Sequence, residues 1–203
     1  MSKELVFMYA QRHAFEALTR KEIASGIPNA FYVTPTQITM PSFLIQEQPL
    51  TVNTPVMTFE FGIGAPGPSD ILNNLILGQN DVAQIYGLQI LIGYGATRNI
   101  RQYQAYGASI DDDVVYKSKL SMLFETNNLI TELETNNFRA EDGTTQKQYD
   151  GADVINPQRQ FSGRVSKVEI KLDLGNIAAL LFTPNAFVSM RLLIAKGAAA
   201  AVK

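Results

Sequence analysis

The sequence predicts a mainly-β domain folded as an antiparallel sandwich. Three observations carry this. Residues 168–174, Val168-Glu169-Ile170-Lys171-Leu172-Asp173-Leu174, alternate strictly between apolar and charged. That pattern suits a strand with one face on a core and the other in water. Further apolar runs recur along the chain, separated by turn-forming Gly, Pro, Asn and Asp. Between them lie no regular helical stretches of the length that parallel strands need as crossovers.

In chain order, residues 11–25 read as a helix. Ala14, Phe15 and Leu18, joined by Ala17, share a face, with Arg12, Glu16, Arg20 and Lys21 mostly elsewhere. Gly26 and Pro28 stop it. Residues 31–33 and 38–45 are strand-like runs broken by Pro35 and Pro41. Residues 51–63 form a longer candidate strand. Met57, Phe59, Phe61 and Ile63 face one way, and Val56, Thr58 and Glu60 the other. Pro55 puts its start there or makes it an edge. Residues 69–77 read as one short inserted helix. Residues 82–94 are apolar on both faces, as in the middle of a sandwich.

Residues 114–124 and 129–133 read as further strands. Residues 138–161 are polar and loop-like, and Asp142-Gly143 within them suits a hairpin turn. Gly175 ends the 168–174 strand, and 187–195 form the last one. Residues 196–203 are mostly small and read as a flexible tail. About eight strands result, with no internal repeat and no linker. One domain over 1–203 follows, with 1–26 as an N-terminal helical arm. Strands joined by turns favour a sandwich of jelly-roll type over a parallel sheet.

Composition narrows the function. At 203 residues and 46% hydrophobic, the chain can bury a core without disulfide or metal staples. The formal charge is −2, and Lys and Arg are scattered. The densest basic cluster, Arg12, His13, Arg20 and Lys21, is diluted by Glu16 and Glu22. A nucleic-acid partner calls for a basic patch or stripe, so nucleic acid is not an expected partner. The absence of cysteine removes thiolate nucleophiles, disulfides and sulfur metal sites. The apolar stretch at residues 5–10 is shorter than the roughly 7–15 residues of a signal-peptide core. No run approaches the roughly 20 apolar residues of a membrane span. The expectation is a protein made and folded in the cytoplasm.

The motifs point to little chemistry. Gly62-Ile63-Gly64-Ala65-Pro66-Gly67 matches a dinucleotide-binding pattern, but Pro66 and Pro68 interrupt the turn that would present N–H groups to a phosphate. It reads as a turn. His13 is the only histidine, too few for a triad or a histidine metal site within one chain, and reads as a surface or interface residue. Asp111-Asp112-Asp113 reads as a solvated turn. The alternative is a Ca²⁺ or Mg²⁺ site shared between chains. Tyr103 and Tyr106, near Arg98 and Arg101, could form a sugar- or partner-binding platform or simply bridge core and loop. Phe15 and Leu18 mark a helix face for the domain, a neighbour or a membrane surface. No catalytic residue, cofactor or metal is assigned.

The plan as a whole resembles single-jelly-roll coat proteins of tailless icosahedral bacteriophages. The matching features are the helix at 11–25, about eight strands, the short helix after Gly67-Pro68 and the small-residue tail. The resemblance implies trimers or hexamers that tile a shell with other virion proteins, and no catalytic site. It transfers no residue, and this chain lacks a basic arm. The expected function is a non-enzymatic, self-assembling capsid subunit, located in the virion, with helix and tail as connectors. The other readings are a ligand- or glycan-binding β-sandwich of attachment type, built on Tyr103, Tyr106 and the 138–161 loop, and an enzyme whose site leaves no motif. Those would place it as a cytoplasmic soluble protein.

Overall fold

The structure is a computed structural model that describes residues 3–19, 38–62, 81–95, 102–103, 110–124, 127–138, 152–162 and 167–198. The elements are α1 (Lys3–Thr19), β1 (Ile38–Pro49), β2 (Val56–Gly62), β3 (Asp81–Tyr94), β4 (Gln102–Tyr103), α2 (Ile110–Tyr116), β5 (Lys119–Phe124), β6 (Asn127–Glu134), a 3₁₀ turn (Thr135–Phe138), β7 (Ala152–Ser162), β8 (Lys167–Asp173) and β9 (Ala186–Ala198). The chain is mainly β, in two antiparallel sheets. One runs β1-β9-β3, with β7 and the two-residue β4 along the far edge of β3. The other runs β2-β8-β5-β6.

Apart from β4, the pairings are nested. The first strand pairs with the last (β1 with β9), the second with the second-last (β2 with β8), and the third with the third-last (β3 with β7). The middle two, β5 and β6, pair with each other. Successive pairs fall in alternate sheets.

The strict alternation at 168–174 becomes β8. Its Val168, Ile170 and Leu172 are fully buried, with Lys171 and Asp173 exposed. Met57, Phe59 and Phe61 of β2 and Leu120 and Met122 of β5 join them on the inner face. Ion pairs such as Lys119–Glu132 at 3.2 Å lie on the exposed outer face. Across the core stand Ala83, Ile85, Leu88, Ile90 and Ile92 of β3 with Val188, Met190, Leu192 and Ile194 of β9.

β3 is buried on both faces because two different bodies cover it. Its inner residues meet the second sheet. Val82 and Tyr86, with Leu193 and Ala195 of β9 and Ala152 of β7, meet α1 instead. Phe7, Ala10, Ala14 and Leu18, spaced three or four apart, are the stripe that α1 lays on them. Gln158 of β7 straps the helix down: its Nε2 donates to the Ala10 carbonyl at 2.8 Å.

A bulge makes this seat. The register of β3 shifts between Ile85 and Gly87 against both β9 and β7, so Tyr86 is an extra residue and the inward positions change from odd to even. Gly87 follows it. A Cβ there would stand 2.9 Å from Phe7 Cε1 and 3.1 Å from the Asp153 carbonyl oxygen. The missing side chain is the space that Phe7 fills.

Several expectations change. The helix begins at Lys3, well before residue 11. Its first turns are apolar on the outer side too, at Leu5, Val6, Met8 and Tyr9, which masks the helical period. Of the settings open to the Phe15 and Leu18 face, Leu18 takes the domain: it is fully buried on the chain's own sheet. Residues 110–116, expected as a turn running into a strand, form α2. Asp111, Asp112 and Asp113 occupy its first turn, where carboxylates suit the helix dipole. Residues 152–161, expected as loop, belong to β7, with Ala152 and Ile155 buried. The pairing of β7 jumps from Val154 to Arg159, and Pro157, which has no N–H to give, lies in that bulge. Pro41 likewise sits at a register shift of the edge strand β1 and does not break it.

β9 continues to Ala198, so Lys196, Gly197 and Ala198 pair with β3 instead of opening the tail. The expected inserted helix at 69–77, the strand at 31–33, Asp142-Gly143 and residues 199–203 lie outside the described residues.

Gly87→Ala should destabilise the fold by about 1–3 kcal/mol, because Phe7 must move. Phe7→Ala should cost about 3–5 kcal/mol. The double variant should cost clearly less than the sum, since the clash disappears with the ring. Denaturant unfolding followed by circular dichroism measures all three, and strict additivity would contradict the seat.

Candidate interaction surface

Asp111 is fully buried at the start of α2. Its Oδ2 accepts the Tyr94 hydroxyl at 3.0 Å, and its Oδ1 accepts the Thr183 backbone N–H at 3.2 Å. The residue expected in a solvated turn is thus a tether from α2 to the end of β3 and to the loop before β9. Asp112 is also buried. Asp113 turns away to Lys117 Nζ at 2.9 Å, in an exposed pair one helical turn on. Asp111 and Asp113 therefore face different partners. Among the described residues no group of three or more His, Asp or Glu is placed to hold a metal ion.

The loop that Asp111 holds, residues 174–185, is fixed at both ends. Gly175 takes φ +72° and its N–H donates to Asp173 Oδ1 at 2.9 Å. The Leu174 N–H donates to the Pro55 carbonyl at 2.8 Å. At the other end Asn185 has φ 59°, and its carbonyl accepts the Gly95 N–H at 3.2 Å. Between them Leu180 N–H closes a turn on the Ile177 carbonyl at 3.0 Å. Ile177 is buried, and Leu180 and Phe182 pack on the core.

On this frame Leu181 stands 87% exposed. It is part of the lining of a shallow, open depression of about 460 Å³, formed with Leu50, Thr51, Val52 and the rest of residues 178–185. Neither 49–56 nor 174–185 contains a charged side chain. The lining offers the hydroxyls of Thr51 and Thr183 but no carboxylate, imidazole or amine to activate them. Its lining suits apolar contact.

The other candidate residues are dispersed. His13 is exposed on α1; its Nδ1–H donates to Gln158 Oε1 at 3.2 Å, beside the Gln158 strap. Phe15 is half-buried. Met8 and Tyr9, 60% and 58% exposed, face outward from α1. Tyr103 lies in β4, where its backbone pairs with Gly93. Its side chain, Tyr106, Arg98, Arg101 and residues 63–67 lie outside the described residues, and so does most of the 138–161 loop. Among the described residues no helix is long and apolar enough to cross a membrane.

Leu181 was not singled out by sequence reasoning. The available signal was an uncharged stretch of twelve residues, 174–185, that carries Leu180-Leu181-Phe182 between two strands. No family model, curated protein or solved structure matches the chain.

Asp111→Ala leaves the Tyr94 hydroxyl and the Thr183 N–H without their acceptor. It should cost about 1–3 kcal/mol and speed hydrogen exchange at Thr183. Asp113→Ala breaks the exposed pair with Lys117 and should change stability by less than about 1 kcal/mol. Thermal melts and amide exchange of both variants check this.

Proposed function

We infer that the chain is a non-enzymatic, self-assembling structural protein of jelly-roll topology, a capsid or virion subunit. The observation that carries the reading is the nested strand order. Among the described residues and apart from β4, the strands pair first with last down to the middle two, with successive pairs in alternate sheets, which supports a double-sheet jelly roll, a fold that recurs in shell-forming proteins. The step from fold to shell is an analogy. Two local features support it. A fixed loop, itself without charged side chains, exposes Leu181. The outer side of α1 adds Leu5, Val6, Met8 and Tyr9 as a second apolar surface for a neighbouring virion component or a membrane face.

On this reading the partners are copies of the chain, as trimers or hexamers, together with other virion proteins, and the location is the virion. Light scattering of the purified chain over a wide concentration range, with negative-stain imaging of large species, tests it. Defined trimers, hexamers or shells are expected. A monomer at every concentration overturns the reading and favours a binding domain.

A further inference from the structure

We propose that the outward side of α1 is a contact between two copies of this chain. The two helices lie antiparallel about a twofold axis at Met8, with Glu4 of each copy paired to Arg12 of the other. The proposal rests on the assembly reading and gives it a surface.

Residues 5–10 make the first turns of α1 apolar on every side. Phe7 and Ala10 are taken up by the sheet, while Met8 and Tyr9 stand exposed with Leu5 and Val6 beside them. A helix that is apolar all round is one that is covered all round. The charges around this patch indicate the cover. Glu4, Met8 and Arg12 follow one another at intervals of four, so they run along one stripe of the helix, and all three are exposed. Each charge lies about 6 Å along the axis from Met8, one on either side. A twofold axis through Met8 exchanges the two ends. Each Glu4 then faces an Arg12, the two Met8 side chains meet between the pairs, and Leu5 and Tyr9 flank them. Such a surface is self-complementary, because each copy offers what the other needs. Arg12 uses its Nε for Glu16, at 3.2 Å, and a guanidinium has five N–H donors, enough for a second carboxylate. The helix is already held by Phe7, Leu18 and the Gln158 strap, so little conformational freedom is lost on contact.

Other occupants fit less of the pattern. A helix that lies in a membrane surface is rich in Lys and Arg on its polar face, whereas this side of α1 sets Glu4 and Glu16 against Arg12. A different protein would have to bring a base and an acid at the matching spacing, which a second copy already carries. Leu5, Val6, Met8 and Tyr9 do not by themselves fill the roughly 800 Å² per partner of a standard interface. The contact is therefore weak alone and acts beside others in an assembly.

The test compares the full chain as wild type, Glu4→Arg, Arg12→Glu, an equimolar mixture of those two variants, and Met8→Asp, by sedimentation velocity up to high concentration. Circular dichroism confirms the fold, since all three positions are exposed. Each charge variant sets like charges against each other at both ends of the contact and should weaken self-association roughly tenfold. In the mixture, opposite charges face each other again at both ends, and association should return towards wild type. Met8→Asp places two carboxylates at the axis and should weaken association roughly tenfold or more. If wild type assembles and the three variants assemble equally well, the contact is wrong and the assembly reading survives. If wild type is monomeric throughout, both fall. If the charge variants are weakened and their mixture is no better, Glu4 and Arg12 do not meet and the twofold arrangement is overturned. If Met8→Asp leaves self-association unchanged but abolishes sedimentation of the chain with phosphatidylcholine vesicles, α1 faces a membrane and the proposal is overturned.

Discussion

The pairing of β3 with β9 is the constraint on which the other elements depend. It runs from Asp81 opposite Ala198 to Tyr94 opposite Ala186, joining segments that lie far apart in the chain. Both strands are apolar on their two faces through much of this length. Such a pair cannot be left half in water, so it needs two covers. The second sheet supplies one through Phe59, Ile170 and Leu172. The helix α1 supplies the other through Phe7, Ala14 and Leu18. The bulge at Tyr86 lets one strand serve both covers, because it changes which residues point inward partway along β3.

The same arrangement decides what remains for recognition. The first sheet has its outer face occupied by a helix where α1 lies. The second sheet keeps a charged outer face with ion pairs at Lys119–Glu132 and Lys171–Glu169, and such pairs hold solvent well while adding little stability. The segments 49–56 and 174–185, by contrast, carry no charged side chain. There the buried carboxylate of Asp111 fixes an apolar loop through one backbone N–H. A buried polar group thus holds in place the loop that exposes Leu181.

Local pattern made some of this legible and long-range pattern hid the rest. β8 was readable because one face is core and the other water, so each residue type reports its direction. β2 was readable for the same reason at Met57, Phe59 and Phe61. β3 showed its two-faced burial as an apolar run at 82–94, but nothing in that run says that a helix covers one side. β7 was hidden because Pro157 and the polar Gln158 and Gln160 break alternation, and the strand tolerates them through a bulge. α2 was hidden because Asp111 looks like a solvent residue until Tyr94 and Thr183 are brought beside it from either side in sequence. Strand order was not legible at all. It is set by pairs such as Leu44 with Leu192, whose separation leaves no local trace.

Native-state hydrogen exchange on the full chain tests most directly whether α1 is a cover for the central strand pair. The amides of α1 between Phe7 and Leu18 should open with the same free energy as those of β3 and β9, as one cooperative unit. Exchange of α1 at the rate of a frayed surface helix, while β3 and β9 stay protected, would contradict it.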